Sequence, residues 1–212
     1  VTIRTPESAE EYKRMTKAER QTAKDHGGFV AGVLVGGRRL SNTVASRSMI
    51  ALDGDYIEPE FLENFESSTP YASCFYTTHS HTPEIPRIRI IFPLIRDVTA
   101  EEFVAVARFL ADMLGIDYFD SCSYLPNQLM YWPSTPSNGE FIFKEADKVW
   151  LDPDDVLKKH PGWQDPAQLP TSSRESRANS MEVKKVQDQL TKTGVVGLFN
   201  RTYFPISAAM EE

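Results

Sequence analysis

The short apolar run Met49-Ile50-Ala51-Leu52 ends in Asp53-Gly54-Asp55, and no other junction in the chain limits its folding as tightly. An extended chain sends alternate side chains to one face, so Asp53 and Asp55 project together from a strand end. Two carboxylates at close range repel unless protons or cations lie between them, and a packed sheet has no structural reason to keep such a pair without counter-charge. Hard divalent cations are the natural partners of that oxygen set. A calcium loop of the EF-hand type is excluded: starting at Asp53 it needs an oxygen ligand fifth, Gly sixth and Glu twelfth, and the sequence has Ile57, Glu58 and Asn64 there. Taken alone, the motif fits a solvated acidic turn as well as a metal site, so its neighbours must decide.

Patterning around the motif reads as alternating strands and helices. Thr5-Pro6-Glu7 opens a surface helix that Gly27-Gly28 stops, with a hydroxyl cap, a proline in the first turn and carboxylates at the positive dipole end. Phe29 to Val35 reads as a strand, Gly36-Gly37 as a turn, and Val44 to Asp53 as a second strand delivering the aspartates. Residues 58–66 form a short helix entered through Pro59. Ala72 to Thr78 and Arg87 to Ile95 are strands joined by a polar, proline-containing loop. Thr99-Ala100-Glu101-Glu102 is a capping box, followed by Phe103, Val106, Leu110 and Met113 at helical spacing until Gly115. Leu129 to Trp132, Phe141 to Phe143 and Val149 to Leu151 supply further short strands, and the whole predicts an α/β (α+β) sheet domain.

After residue 151 the composition shifts to Pro, Asp, Ser and Lys, which predicts a linker over 152–179 with one helical turn at Asp154 to Leu157. Met181 to Leu190 has a helical pattern and Gly194 to Phe199 is apolar, so 180–212 is expected to begin a helical segment leading into a further C-terminal region. No apolar stretch approaches the roughly 20 residues of a membrane span, and the amino terminus lacks a secretion signal, so the chain reads as soluble and intracellular. Cys74 and Cys122 give neither a disulfide framework nor the paired spacing of a zinc ribbon.

The net charge of −7 argues against a wholly basic nucleic-acid surface, but it is unevenly spread. Residues 1–50 carry nine Lys/Arg against five Asp/Glu, and residues 51–100 carry three against eight. A basic lobe beside an acidic one suits an enzyme that holds phosphates and also needs cations, although a helix with solvated mixed charges accounts for much of the first part.

Two further clusters bear on chemistry. Thr77, His79 and His81 alternate at a strand end, and Arg87-Ile88-Arg89-Ile90 places two guanidiniums on one side of the next strand. Parallel guanidinium forks beside imidazoles make a triphosphate cradle, because the fork matches phosphate oxygens bidentately. Downstream, Asp117 and Asp120 precede the strand of Met130, Tyr131 and Trp132, and Asp120 is preferred as a third carboxylate because Asp117 lies nearer the helix-ending Gly115. Tyr131 and Trp132 could stack bases or belong to a core.

In this order the motifs resemble the archaeo-eukaryotic primases, or primase-polymerases: Asp53-Gly54-Asp55, then Thr77-Thr78-His79, then Asp120. The surrounding text, including Gly27-Gly28-Phe29, Arg47-Ser48-Met49, His79-Ser80-His81-Thr82-Pro83 and Met130-Tyr131-Trp132-Pro133-Ser134, is similar to primase domains of phage and mobile-element replication proteins over roughly residues 25–150. Residues 194–204 resemble the segment joining such primases to a C-terminal helicase. The resemblance implies a catalytic domain over 1–151, with an α/β unit and an RRM-like sheet meeting at the active site. It implies template-directed nucleotidyl transfer on a single-stranded DNA template from NTP or dNTP substrates, in the cytoplasm of a bacterial host. Asp53, Asp55 and Asp120 are then expected to hold Mg²⁺ or Mn²⁺. Thr77, His79, Ser80, His81, Arg87 and Arg89 are expected at the nucleotide, and Arg38, Arg39 and Arg47 at DNA phosphates. Two competing readings are a rolling-circle nicking enzyme, suggested by His79-Ser80-His81 but lacking the usual hydrophobic residue between its histidines, and a non-catalytic DNA-binding module.

Overall fold

A computed structural model describes residues 2–192, with side chains through residue 186, so the apolar segment 194–204 lies outside the described residues. The chain divides into two compact units, Val1–Pro170 and Thr171–Glu212. In the second unit the described element is a helix, Ser173–Lys192, which covers the expected helical stretch and begins earlier than its sequence pattern suggested. No helix among the described residues is long and apolar enough to cross a membrane.

The first unit is a mixed α+β fold. It begins with β1 (Ile3–Arg4), α1 (Ala9–Arg14) and α2 (Lys17–Lys24). The single helix expected from Thr5 to Gly27 is therefore two, because Ser8 and Thr16 each cap a separate helix through a capping box. Thr5 is instead buried, with its hydroxyl on Glu7. The strand expected over 29–35 is also divided, into β2 (Gly28–Phe29) and β3 (Gly32–Leu34) in different sheets. The break falls at Val30-Ala31, and β3 opens on Gly32, where any Cβ would collide with the Ser46 carbonyl.

The long strand β4 (Val44–Gly54) carries Asp53 and leads directly into Asp55, followed by α3 (Pro59–Glu63), α4 (Phe65–Ser68) and β5 (Ser73–Thr77). Then come β6 (Ile88–Val98), α5 (Ala100–Leu114), β7 (Met130–Tyr131), β8 (Ser134–Thr135) and β9 (Phe143–Ala146). The main sheet has the order β3-β4-β6-β5-β9, with every pairing antiparallel. β1 pairs with β8 in parallel, and β2 with β7 antiparallel.

Alternation along the strands sorts the two faces. Ile50 and Leu52 of β4, Phe75 of β5 and Ile88, Ile90 and Phe92 of β6 are buried in one core with Phe103, Val106 and Leu110 of α5. That helix keeps the expected Thr99 capping box and ends at Gly115, whose φ of 102° is the left-handed value that favours glycine. The opposite face carries Met49, Ala51, Asp53, Ile91 and Arg89, and β7 lies over part of it, since Tyr131 O accepts from both Tyr76 and Arg89.

Residues 152–170 continue the core where composition suggested a linker. Helix α6 (Pro153–Lys159) buries Val156 and Leu157, and His160 stacks on Phe109 of α5 at 3.7 Å. Short apolar pairs between Pro and Asp carry too little periodicity to announce a docked helix.

Candidate active site

The paired aspartates stand where the sequence puts them because of what lies beneath. Gly54 faces the core, and a Cβ there would come within 2.7 Å of Ile57 and 3.1 Å of Ile88. The middle residue of the motif is small because the chain turns tightly over Ile57. Above it, Asp53 pairs across the sheet with Arg89, which pairs in turn with Tyr76. One row thus crosses β4, β6 and β5.

The register turns sequence spacing into ion pairs. Arg89 donates to Asp53 at 3.0 Å and to Tyr131 O at 2.7 Å, and Arg87 donates to Asp55 at 2.6 Å. Arg89 is buried, its side chain 7% exposed, whereas Arg87 remains 35% exposed. Burial works against the Arg89 charge, but Asp53 and Tyr76 more than offset it and hold its pKa above the usual value. The Asp55 carboxyl is pushed up by burial first and by Asp53 next, against the pull of Arg87, and Asp120 adds to the push.

Asp120 joins the pair through the backbone. Its N–H donates to the Asp53 carbonyl at 2.9 Å, and Gly54 bridges to Phe119. Its carboxylate caps the turn of 121–124 by accepting from the Cys122 N–H at 2.9 Å. The Cys122 thiol is pushed up by burial and then by Asp120, Asp53 and Asp55, so all three carboxylates act on the same spot. Asp117 is exposed in the short turn 116–118.

The histidine segment departs from the extended geometry. β5 ends at Thr77, and a turn closed by the His81 N–H on Thr78 O (3.0 Å) follows. Thr77, next to Tyr76 in β5, is buried on the other face of the sheet, its hydroxyl accepting from the Ile142 N–H, and does not reach the aspartates. Thr78, His79 and Ser80 line a cavity of about 120 Å³ together with Asp53, Asp55, Arg87 and Arg89. Beyond the turn, a second cavity of about 430 Å³ shares His79, Ser80 and Arg87 and adds Tyr12, Lys13, Arg20 and His81.

His79 is held at both ring nitrogens, Nδ1 by the Ser134 hydroxyl at 2.9 Å and Nε2 by the Glu7 carboxylate at 3.0 Å. Burial pushes its pKa down and Glu7 pulls it back. His81 is also pushed down by burial; its Nδ1 accepts from the Arg87 N–H at 3.3 Å, and its Nε2 lies 3.6 Å from Glu140, beyond hydrogen-bond reach. The two imidazoles thus face separate carboxylates and do not form the paired site a nicking enzyme needs.

The three arginines expected at DNA differ in kind. Arg38 and Arg39 are exposed, and Arg39 donates to Asn127 O at 3.1 Å. Arg47, expected at a phosphate, is corrected to a structural role. It is 1% exposed, donates to Ala31 O and Pro126 O at 2.8 and 2.5 Å, and lies over the Phe103 ring at 4.1 Å. Burial pulls its pKa down to about 10.

Sequence reasoning missed Glu7, Lys13, Arg20, Lys24, Thr78 and Ser134. Lys13, Arg20 and Lys24 look like any solvated helix charges, and Glu7 meets His79 only through the tertiary fold. The polar, proline-containing stretch after Thr77 did carry a turn signal that would have favoured Thr78 and Ser80.

A family model described as the VapE N-terminal domain matches residues 1–172. The chain belongs to this family. The match takes in all of the first unit, including the N-terminal segment that brings Glu7 to His79 and the helix α6. Among curated proteins, none matches this chain. Among solved structures it is similar to the AEP domain of the primase-polymerase of cyanophage S-2L, at 19% identity and a TM-score of 0.45, over 73% of this chain and 85% of that one.

The carboxylate oxygens of Asp53, Asp55 and Asp120 are the donor type that Mg²⁺ and Mn²⁺ take, and the other two carboxylates add to the burial that holds the Asp55 carboxyl up. Among the described residues, no group of three or more His, Cys, Asp or Glu is already drawn together as a metal cage. Arg87 and Arg89 neutralise the pair instead.

Proposed function

We propose that this domain carries out template-directed nucleotidyl transfer, as a DNA primase or polymerase. The reading rests on one observation above all: Asp53 on β4 stands in register with Arg89 on β6, and just past the two strand ends Asp55 is ion-paired with Arg87, in a cavity that the His79 turn also lines. Anion-binding forks thus sit directly beside carboxylates. The order of the sequence motifs, which resembles that of the primase-polymerases, supports the same assignment.

Asp53 and Asp55, with Asp120, would hold Mg²⁺ or Mn²⁺, which when bound supplies Lewis acidity to the attacking 3′-hydroxyl and the departing pyrophosphate. Arg87, exposed on its outer side, takes nucleotide phosphate oxygens and meets the charge that grows on the leaving group. Buried Arg89 fixes Asp53 and the Tyr131 backbone. His79, oriented by Glu7 and Ser134, presents its ring edge between the two cavities. Lys13 and Arg20 widen the positive surround on the far side of the turn.

The test is release of pyrophosphate from nucleoside triphosphates with single-stranded template and Mn²⁺ or Mg²⁺. The expected result is release that requires both template and metal and is lost in Asp55→Asn. Equal release by a folded Asp55→Asn protein contradicts the assignment.

A further inference from the structure

The open face of the sheet carries an apolar trough of about 650 Å³ that the chemistry of the aspartate site does not use. Phe29, Met49, Tyr76, Ile91, Trp132 and Phe143 line it. Two of these rings are turned to solvent, Trp132 at 47% and Phe143 at 54% exposure, and Phe29 lies against Trp132 with ring centroids 5.0 Å apart. Large exposed rings around one hollow mark a binding surface. The trough runs directly into the charged cavity, because Tyr76 and Trp132 line both.

We propose that this trough binds unpaired bases of a single nucleic-acid strand whose backbone continues toward Arg87 and the aspartates. The proposal deepens the nucleotidyl-transfer reading and rests on it for the identity of the neighbouring site. Three features select this occupant over a protein surface. The trough is continuous with a cavity whose arginines suit phosphate, so apolar and cationic parts follow one another as base and phosphate do along a strand. Its lining is rich in aromatic rings, and base stacking on aromatic side chains is sequence-tolerant because every base has a π-face. Its volume falls in the range of sites that enclose drug-sized ligands, more than one flat base requires, which favours a strand over a lone nucleotide.

The test is fluorescence anisotropy of the full chain with a labelled thymidine 12-mer and with an abasic 12-mer of equal phosphate count, at low salt and without metal or nucleotide. The base-bearing strand is expected to bind roughly tenfold more tightly, the preference to vanish in Trp132→Ala and Phe143→Ala, and Trp132→Phe to retain it. Equal binding of the two strands, or no binding of either, overturns the proposal. So does a preference unchanged in Trp132→Ala and Phe143→Ala. If the alanine variants instead convert a concentration-dependent dimer to monomer in sedimentation while the base preference persists, the trough belongs to a second copy of the chain. Because no catalysis is read, base preference without synthesis refutes only the enzyme, and synthesis without base preference refutes only the trough.

Discussion

The two aspartates of the motif are chemically alike and structurally different. Asp53 neutralises a buried guanidinium, so Asp53→Ala leaves the Arg89 charge buried with only the neutral Tyr76 hydroxyl and Tyr131 carbonyl as hydrogen-bond partners and is expected to cost about 1.5–3 kcal/mol in urea unfolding. Asp55 faces the part-exposed Arg87, and Asp55→Ala is expected to cost about 1 kcal/mol or less, because solvent already screens that pair. Equal losses for the two variants contradict the burial difference. The arginines divide in the same way. Arg87→Lys keeps the charge and loses the fork, so it is expected to raise the nucleotide KM and lower kcat with little change in stability. Unchanged kinetics for both Arg87→Lys and Arg87→Ala return this residue to the role of a surface cation. Arg47→Ala is expected to lose about 3 kcal/mol or more, since two hydrogen bonds from a charged group go with it, and to leave DNA affinity unchanged. A weakened DNA affinity in a folded Arg47→Ala protein restores the phosphate role.

At the scale of elements, the site depends on β4 passing over Ile57 and Ile88 with no side chain at Gly54. Gly54→Ala is expected to lose about 1–3 kcal/mol through overpacking and to reduce incorporation by shifting both aspartates. Full stability and activity in that variant would mean the strand end is not tightly seated. Period-2 alternation made β4, β5 and β6 legible in the sequence, and with them the common face of Asp53, Asp55, Arg87 and Arg89, because a strand's periodicity is local and its register follows from which face is apolar. The Thr99 box and Gly115 made α5 legible for a similar reason. Thr77 misled because extended geometry was carried past the end of β5 to His79 and His81, whereas Thr77 lies within the strand on the face of Phe75 and the turn begins after it. Arg47 misled because sequence does not show which carbonyls await a buried guanidinium. The N-terminal segment was invisible as part of the site, since Glu7 and Ser134 meet His79 only when β1 pairs with β8.

At the scale of the whole molecule, burial couples the fold to pH. His79 and His81 have folded pKa values below the unfolded value of 6.5, so below that pH the unfolded chain binds protons that the folded one refuses. The stability they protect is complete above pH 6.5 and falls as pH drops. Glu7, held below its ordinary 4.5, adds a further loss at lower pH, and the raised Asp55 opposes it only in the acid range. The melting temperature is expected to fall between pH 7.5 and about 5.5 and to fall less in a His79→Gln/His81→Gln variant. A flat profile in the unmutated chain contradicts this. The central claim, that the carboxylate and arginine row copies a template, is tested most directly by primer extension on two homopolymer templates, with all nucleotides and Mn²⁺ or Mg²⁺ supplied. The account predicts that only the nucleotide complementary to each template is incorporated, and that Asp53→Asn and Asp55→Asn abolish it. Incorporation that ignores the template, or a covalent protein–DNA adduct in its place, would contradict it.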